Sequence, residues 1–285
     1  MVSDHSIRAA LALGRQQLAS LSEIDPHAEI EVDLRYLLSD LLNKSPAYLM
    51  AFDDASLTPE QWQQWDAWLA RRQQGEPVAY ITGFRDFWSL RLQVSPDTLI
   101  PRADTERLVE VALSLPVPVS AKVIDLGTGT GAIALALADE RPQWLVTGVD
   151  RIPQAVELAR RNAQRLHLPV AFSQGSWLEG ITDSVDLIVS NPPYIDAADA
   201  HLDQGDVRFE PHSALVAAES GLADIRTIIQ QAVKCLAPSG WLLFEHGWKQ
   251  AEAVRDMLGA AAFGEIKTWQ DLGGNDRVTG GCWRG

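Results

Sequence analysis

Gly127-Thr128-Gly129-Thr130-Gly131 places three glycines in five residues, between the apolar tetrad Val123-Ile124-Asp125-Leu126 and the apolar run Ala132 to Ala138. The tetrad reads as a buried strand and the following run as a helix, so the glycines form a turn at a helix amino terminus. Glycine lets such a turn be tight and lets the backbone come close to a ligand. The next apolar segment, Leu145 to Val149, is closed by Asp150, and Pro153 to Leu166 returns as a helix whose Ala155, Leu158, Ala159 and Leu166 face a sheet. Strand, helix, strand and helix in this order predict an α/β fold around a parallel sheet.

Asp150 ends its strand where an acidic residue accepts from both ribose hydroxyls in dinucleotide folds, which points to a nucleoside-containing ligand. The dinucleotide fingerprint is G-x-G-x-x-G, whereas here the spacing is G-x-G-x-G, and no pyrophosphate cradle is evident. S-adenosylmethionine fits a phosphate-free nucleoside site. Its sulfonium is positive, so a neighbouring acid such as Asp125 is tolerated. Trp177, just beyond a strand at Val170 to Ser173, stands where an adenine would pack.

A second short apolar run, Val185 to Ser190, ends in Asn191-Pro192-Pro193-Tyr194. Neither proline donates to a sheet ladder and each disfavours helix before it, so the strand stops at Asn191. Strand carboxyl ends are where open α/β sheets bind ligands. The Asn191 carboxamide oxygen and the adjacent backbone carbonyl both accept hydrogen bonds, and together they suit a planar NH2 group, with Tyr194 as a flat wall. Aiming an amide or exocyclic amino nitrogen at a reactive methyl group is positional catalysis that needs no charged base.

The first 80 or so residues read as a helical bundle. Ile7, Leu11, Leu18 and Leu21 mark one helix; Asp25 is expected to cap a second, with Pro26 in its first turn and Ile30, Leu34, Leu37, Leu38 and Leu41 as its stripe. Thr58-Pro59-Glu60-Gln61 is a capping box, followed by Trp62, Trp65 and Leu69 on one face and by Gly75 at the stop. The helical spacing of these tryptophans assigns them to core packing. From 84 to 101 the period changes to two, and a hairpin is expected with Ser95-Pro96-Asp97 as its turn and Leu99-Ile100 in the returning strand. A helix over Leu108 to Ala112 is closed by Pro116 and Pro118. Asp196 to Ser220 reads as a polar functional loop containing Phe209-Glu210-Pro211 and the solvated His201 and His212. Helices at Leu222 to Leu236 and Ala251 to Leu258 and strands at Trp241 to Glu245, Glu265 to Trp269 and Val278 to Trp283 complete a seven-stranded sheet, its last two strands an antiparallel hairpin at the edge.

The chain has 285 residues and a net charge of -14, the wrong sign for a protein held by nucleic-acid phosphates. Cys235 and Cys282 are not in a CxxC pair, so two reduced core thiols are expected and neither a disulfide framework nor a metal site. No apolar run spans a membrane and no secretory signal is evident, which makes a cytoplasmic location the default. Two rival classes remain: a DNA adenine methyltransferase, disfavoured by charge, and a nicotinamide oxidoreductase, disfavoured by glycine spacing.

Asp125 to Gly131, Asn191-Pro192-Pro193-Tyr194, Phe209-Glu210-Pro211 and Asp271-Leu272 through Asp276-Arg277 together resemble the HemK/PrmC family of peptide chain release factor glutamine methyltransferases. Asn-Pro-Pro-Tyr alone is shared with adenine-N6 DNA methyltransferases and with the ribosomal-protein glutamine methyltransferase, but Leu99 to Glu106 looks like the release-factor branch. Ala103 and Asn275 depart from it, the family usually having proline and a basic residue there. The resemblance implies a helical domain for release-factor recognition over 1–83, a β-hairpin linker over 84–101 and a seven-stranded Rossmann-like class I methyltransferase domain over 102–285. It implies transfer from S-adenosylmethionine to the glutamine side-chain nitrogen of a Gly-Gly-Gln motif, by a monomer with a protein substrate and with no direct nucleic-acid or membrane partner. Gly127, Thr128, Gly129, Thr130 and Gly131 would wrap the methionine part, Asp150 would hold the ribose and Trp177 would contact the adenine side. Asn191 and the Pro192 carbonyl would grip the glutamine NH2, Pro193 would shape the pocket and Tyr194 would pack on the amide.

Overall fold

The computed structural model describes residues 4–25, 28–199, 202 and 205–285. The chain forms two compact units, Met1–Gly83 with Ala200–Phe209, and Phe84–Asp199 with Glu210–Gly285.

The first unit is helical: α1 (Ile7–Gln17), α2 (Leu21–Ile24), α3 (Ile30–Leu42), α4 (Pro46–Ala51), α5 (Pro59–Gln73) and α6 (Val78–Thr82). The capping box at the start of α5 is complete, with the Thr58 hydroxyl accepting from Gln61 N and the Gln61 side chain accepting from Thr58 N. Trp65 and Leu69 are fully buried, and the Trp65 indole donates to Ala10 O at 3.1 Å, which pins α5 to α1. Trp62 is only partly buried and stacks on His5. Leu34, Leu37 and Leu38 complete this core from α3.

Asp25 does not cap α3, whose first flanking residue is Glu29 without a side-chain bond. Pro26 lies outside the described residues. Asp25 is instead buried against Arg72, whose guanidinium is 3.2 Å from Asp25 Oδ2 and 2.8 Å from Asp33 Oδ2, and which donates to Gly75 O and Glu76 O. A cap satisfies one backbone donor, whereas a buried guanidinium leaves costly charge exposed to a dry core unless carboxylates meet it.

The second unit begins with β1 (Phe84–Phe87) and β2 (Leu90–Gln93), an antiparallel hairpin turned at Trp88 and Ser89. The expected turn at Ser95-Pro96-Asp97 comes after this hairpin, and Leu99-Ile100 is not a strand. Trp88 adopts a left-handed conformation at φ 57°, held by its N–H on Glu106 Oε1 and its indole on Glu140, so tertiary bonds replace the glycine or asparagine that usually marks such a turn. Phe87, Leu90 and Leu92 join the core of this second unit.

There follow α7 (Glu106–Ser114), β3 (Lys122–Leu126), α8 (Ala132–Glu140), β4 (Leu145–Asp150), α9 (Pro153–Leu166), β5 (Ala171–Gln174) and β6 (Val185–Ser190). After them come α10 (His212–Leu215), α11 (Ala218–Gly221), α12 (Ala223–Ala232), β7 (Leu236–Glu245), α13 (Ala251–Ala260), β8 (Phe263–Gln270) and β9 (Asp276–Trp283). The seven-stranded sheet runs β5-β4-β3-β6-β7-β9-β8, parallel through β7, with β9 antiparallel between β7 and β8. Alternate residues serve opposite faces. Val123, Leu187, Val189 and Leu243 pack with α7, α8 and α9, while Ile124, Ile188, Leu242 and Phe244 pack with α12 and α13. The expected polar loop is partly helical, holding a 3-10 turn at Gly205–Phe209 besides α10 and α11. His212 opens α10 and is exposed; His201 lies outside the described residues. Cys235 and Cys282 are free and buried. Among the described residues no helix is long and apolar enough to cross a membrane.

Arg72→Ala leaves Asp25 and Asp33 without their buried counter-charge and is expected to destabilise the protein by about 3–5 kcal/mol, read as a loss in urea unfolding followed by tryptophan fluorescence.

Candidate active site

Strand order reverses at β3, with β4 and β5 on one side and β6 and β7 on the other, and at such a switch point the loops diverge and leave a crevice. A cavity opens there, lined by the ends of β3, β4 and β6, the loop after β5, the segment around Thr98 to Thr105, and Ser213 with Ala214.

Its floor is the glycine turn. Gly127 N and Thr128 N both donate to Val149 O, tying the turn to β4. Gly127 has φ 70°, and a Cβ there would stand 3.4 Å from the Trp177 ring. Gly131 has φ 84° and opens α8; a Cβ there would meet Phe172, Leu135 and Ala159 at 3.0–3.2 Å, so this glycine serves close helix packing and does not line the cavity.

Two carboxylates hold the turn. Asp150 Oδ2 accepts from Gly129 N and Oδ1 from Ile152 N, each at 2.9 Å, so the acid that faces the cavity also fixes the loops on both its sides. Asp125 lies beneath, fully buried, with Oδ2 accepting from the Thr128 hydroxyl at 2.6 Å and from Ala134 N, while Oδ1 has no partner in the structure. Burial pushes its carboxyl up to about 7, against the bonds from Thr128 and Ala134. It does not line the cavity, and its part is to brace the turn from below.

Trp177, at φ 52°, forms the wall beside Gly127. Asn191 lines the opposite side, and its Nδ2 donates to Thr105 Oγ1 at 3.1 Å. Pro193 also lines the cavity, whereas Pro192 is buried and, like Tyr194, is not part of its wall. The Tyr194 hydroxyl bonds to Glu245 Oε1 at 3.3 Å, and burial together with that acid raises its pKa. The cavity therefore gathers Gly127, Thr128, Gly129, Thr130, Asp150, Trp177, Asn191 and Pro193, while Gly131, Pro192 and Tyr194 are not part of its lining.

Four further residues belong here. Glu210 is buried and accepts from Ile100 N at 2.8 Å and from Arg102 Nη2 at 2.6 Å, fastening the segment that carries Arg102 and Thr105 along the cavity. Glu245 ends β7, is 1% exposed, and is pushed by burial up to about 7; Thr105, Arg277 and Tyr194 hold it down and Asp104 pushes it further up. The signal for Glu245 is the one that marks Asp150, an acid closing an apolar strand. Thr105 and Arg102 carry no such mark, since their partners are far away in sequence.

An open sheet with this strand order, a glycine turn under the cavity and an amide-bearing strand end is the architecture of a methyltransferase. The chain matches the "PrmC N-terminal domain" over residues 9–83 and the "Methyltransferase small domain" over residues 105–209. It is 53% identical over 252 residues to the release factor glutamine methyltransferase of Yersinia pestis, covering 88% of this chain and 91% of that protein. With the namesake of Shewanella oneidensis it shares 50% over 287 residues, covering 100% and 99% of the two chains. Among solved structures, a methyltransferase from Pyrococcus furiosus matches 75% of this chain and 96% of its own with a TM-score of 0.52 at 17% identity, and has the same fold. The chain belongs to the release factor glutamine methyltransferase family.

Because the folded pKa of Asp125 lies above the ordinary carboxylate range, the folded state holds its proton more tightly than the unfolded state. The stability this contributes is complete below about pH 4 and is lost as pH rises through about 7. Between pH 5 and 8 the wild-type protein should therefore lose stability relative to Asp125→Asn, measured as the shift between their denaturation midpoints; a gap independent of pH would show a carboxylate ionised throughout.

Proposed function

We propose that this chain transfers the methyl group of S-adenosylmethionine to the side-chain amide nitrogen of the glutamine in the Gly-Gly-Gln motif of peptide chain release factors. The observation that carries the reading is full-length similarity to release factor glutamine methyltransferases, joined to an asparagine carboxamide in the wall of the cavity.

The residues present fit the methyl donor. The backbone is bare at Gly127 and Gly129, where the nearest atom to an added Cβ at 129 is 3.9 Å away, so the turn leaves room for a ligand against its main chain. Asp150 presents a carboxylate to the cavity for ribose hydroxyls, and the Trp177 face offers an adenine contact. When bound, S-adenosylmethionine supplies an electrophilic methyl group on a positive sulfur.

The protein's part is to hold and aim. Asn191 Oδ1 and the Pro192 carbonyl accept the two amide protons of the glutamine, which fixes the NH2 plane and turns the nitrogen lone pair toward the methyl carbon. The N–C bond forms as the C–S bond breaks, and the nitrogen then gives up one proton to water. S-adenosylhomocysteine is the second product. Pro193 shapes the pocket around the amide and Tyr194 packs against it, anchored by Glu245. In this reading residues 1–83 recognise the folded release factor, 84–101 join them to the methyltransferase part, 102–285, and the enzyme works as a cytoplasmic monomer on protein, without binding nucleic acid or membrane.

Methyl transfer from labelled S-adenosylmethionine is expected to label a purified release factor, and to label neither its Gln→Ala variant nor an adenine-containing DNA duplex. Asn191→Ala should lower the rate by about 100-fold or more while leaving the melting temperature nearly unchanged. Full activity in that variant would sink the amide grip; label on DNA would sink the substrate.

A further inference from the structure

The loop that grips the amide is short and has few free torsions. Ser190 fixes its start, its hydroxyl donating to Leu126 O at 2.8 Å at the end of β6. Two prolines follow Asn191, and each locks its own φ. The direction of the Pro192 carbonyl and of the Asn191 side chain therefore depends on where the far end of the loop is held. That end is Tyr194 and Ile195. Ile195 N donates to Leu215 O at 2.9 Å and Ile195 O accepts from Ala217 N at 3.1 Å, while the Tyr194 carbonyl is met by a side chain from the loop after β7.

That side chain is Gln250. It flanks the amino end of α13, the usual place for a helix cap, yet makes no side-chain capping bond to that helix. It reaches back instead. Its Oε1 accepts from Gly247 N at 2.8 Å, and its Nε2 donates to Tyr194 O at 3.0 Å and to Ser220 O at 2.9 Å. A backbone N–H only donates, so Gly247 draws the amide oxygen to its own side and leaves both Nε2 protons for the two carbonyls. The orientation of the side chain is thereby fixed.

The fold makes room for this clamp at some cost. Glu219 at φ 54°, Ser220 at φ 54° and Gly221 at φ 83° are three left-handed residues in a row, a conformation that residues with a Cβ keep only where their surroundings hold them. A Cβ at Gly221 would collide with the Tyr194 carbonyl and stand 2.6 Å from Gln250 Nε2. The strained turn lies directly against the loop, and Gln250 ties the two together.

We propose that Gln250 is a positioning residue of the methyl-transfer site: its carboxamide clamps the Tyr194 carbonyl and so sets the aim of Asn191 and of the Pro192 carbonyl at the substrate nitrogen. The inference rests on the function proposed above. Gln250, Tyr194, Ser220 and Gly247 are not part of the cavity lining, so loss of the clamp acts on the placement of the amide and spares the pocket for the donor. Misplacing reacting atoms by about 1 Å costs on the order of 100-fold in rate.

The test uses the full chain with labelled S-adenosylmethionine and a purified release factor. Gln250→Ala removes the clamp and should lower kcat by about 10- to 100-fold with the KM for the donor within about twofold. Gln250→Glu keeps the size of the side chain and the bond from Gly247 N, but an ionised carboxylate has no proton for either carbonyl. It should lose rate to a similar degree, and it decides the matter should Gln250→Ala not fold. A kcat within about threefold of wild type in either variant would overturn the clamp, as would a donor KM that rises as far as kcat falls, the mark of a general collapse of the site. Those results presuppose label on the wild-type reaction; a wild-type enzyme that labels no release factor overturns the functional reading and the clamp with it.

Discussion

The active-site floor depends on one carboxylate. Asp150 ends β4 and accepts from Gly129 N on one side and Ile152 N on the other, which joins the glycine turn to the start of α9. Backbone N–H groups at the end of a parallel strand have lost their ladder partners, and leaving them unpaired in a half-buried crevice is costly. An acid at the last strand position satisfies two of them at once and still has lone pairs to offer a ligand. Asp125 repeats the device one layer down, with the Thr128 hydroxyl and Ala134 N as its donors. Glu245 closes β7 in the same way, but accepts from a side chain, the Tyr194 hydroxyl.

Asp125 and Glu245 share one effect of burial. Burial raises Asp125 and Glu245 to about 7, so each keeps its proton over part of the neutral range. A neutral carboxyl still accepts and so still braces a loop, through weaker bonds than an ionised one makes. Only where the direction of a hydrogen bond matters does ionisation change the outcome. Asp125 takes a threonine hydroxyl and a backbone N–H, and Glu245 takes the Tyr194 hydroxyl, all of them donors that either form of the acid accepts.

The sheet and the floor of the site were legible because their signals are local. Apolar runs closed by the glycine turn, by an acid and by paired prolines mark β3, β4 and β6 in that order. The hairpin at β1 and β2 was misread because Trp88 carries no turn chemistry of its own; Glu106 and Glu140, remote in sequence, hold it. Asp25 looked like a cap because nothing nearby announces Arg72, 47 positions on. Thr105 and Glu210 stand out only through the family resemblance of the stretches that carry them, since their value arises only when Asn191, 86 positions away, and Ile100, 110 positions away, are folded against them.

Glu210 shows how the fold turns a topological burden into a wall. The chain leaves the methyltransferase unit after Asp199 and re-enters it at Glu210. A re-entry point is ordinarily a mobile surface position. Here the first residue back is a buried acid that takes Ile100 N and the Arg102 guanidinium, and Pro211 behind it fixes the direction of the chain into α10. A neutral side chain at 210 would keep the backbone bond and lose the ion pair with Arg102. The segment from Leu99 to Thr105 that lines the cavity is therefore held, through both bonds, by an anchor 108 positions downstream in the sequence.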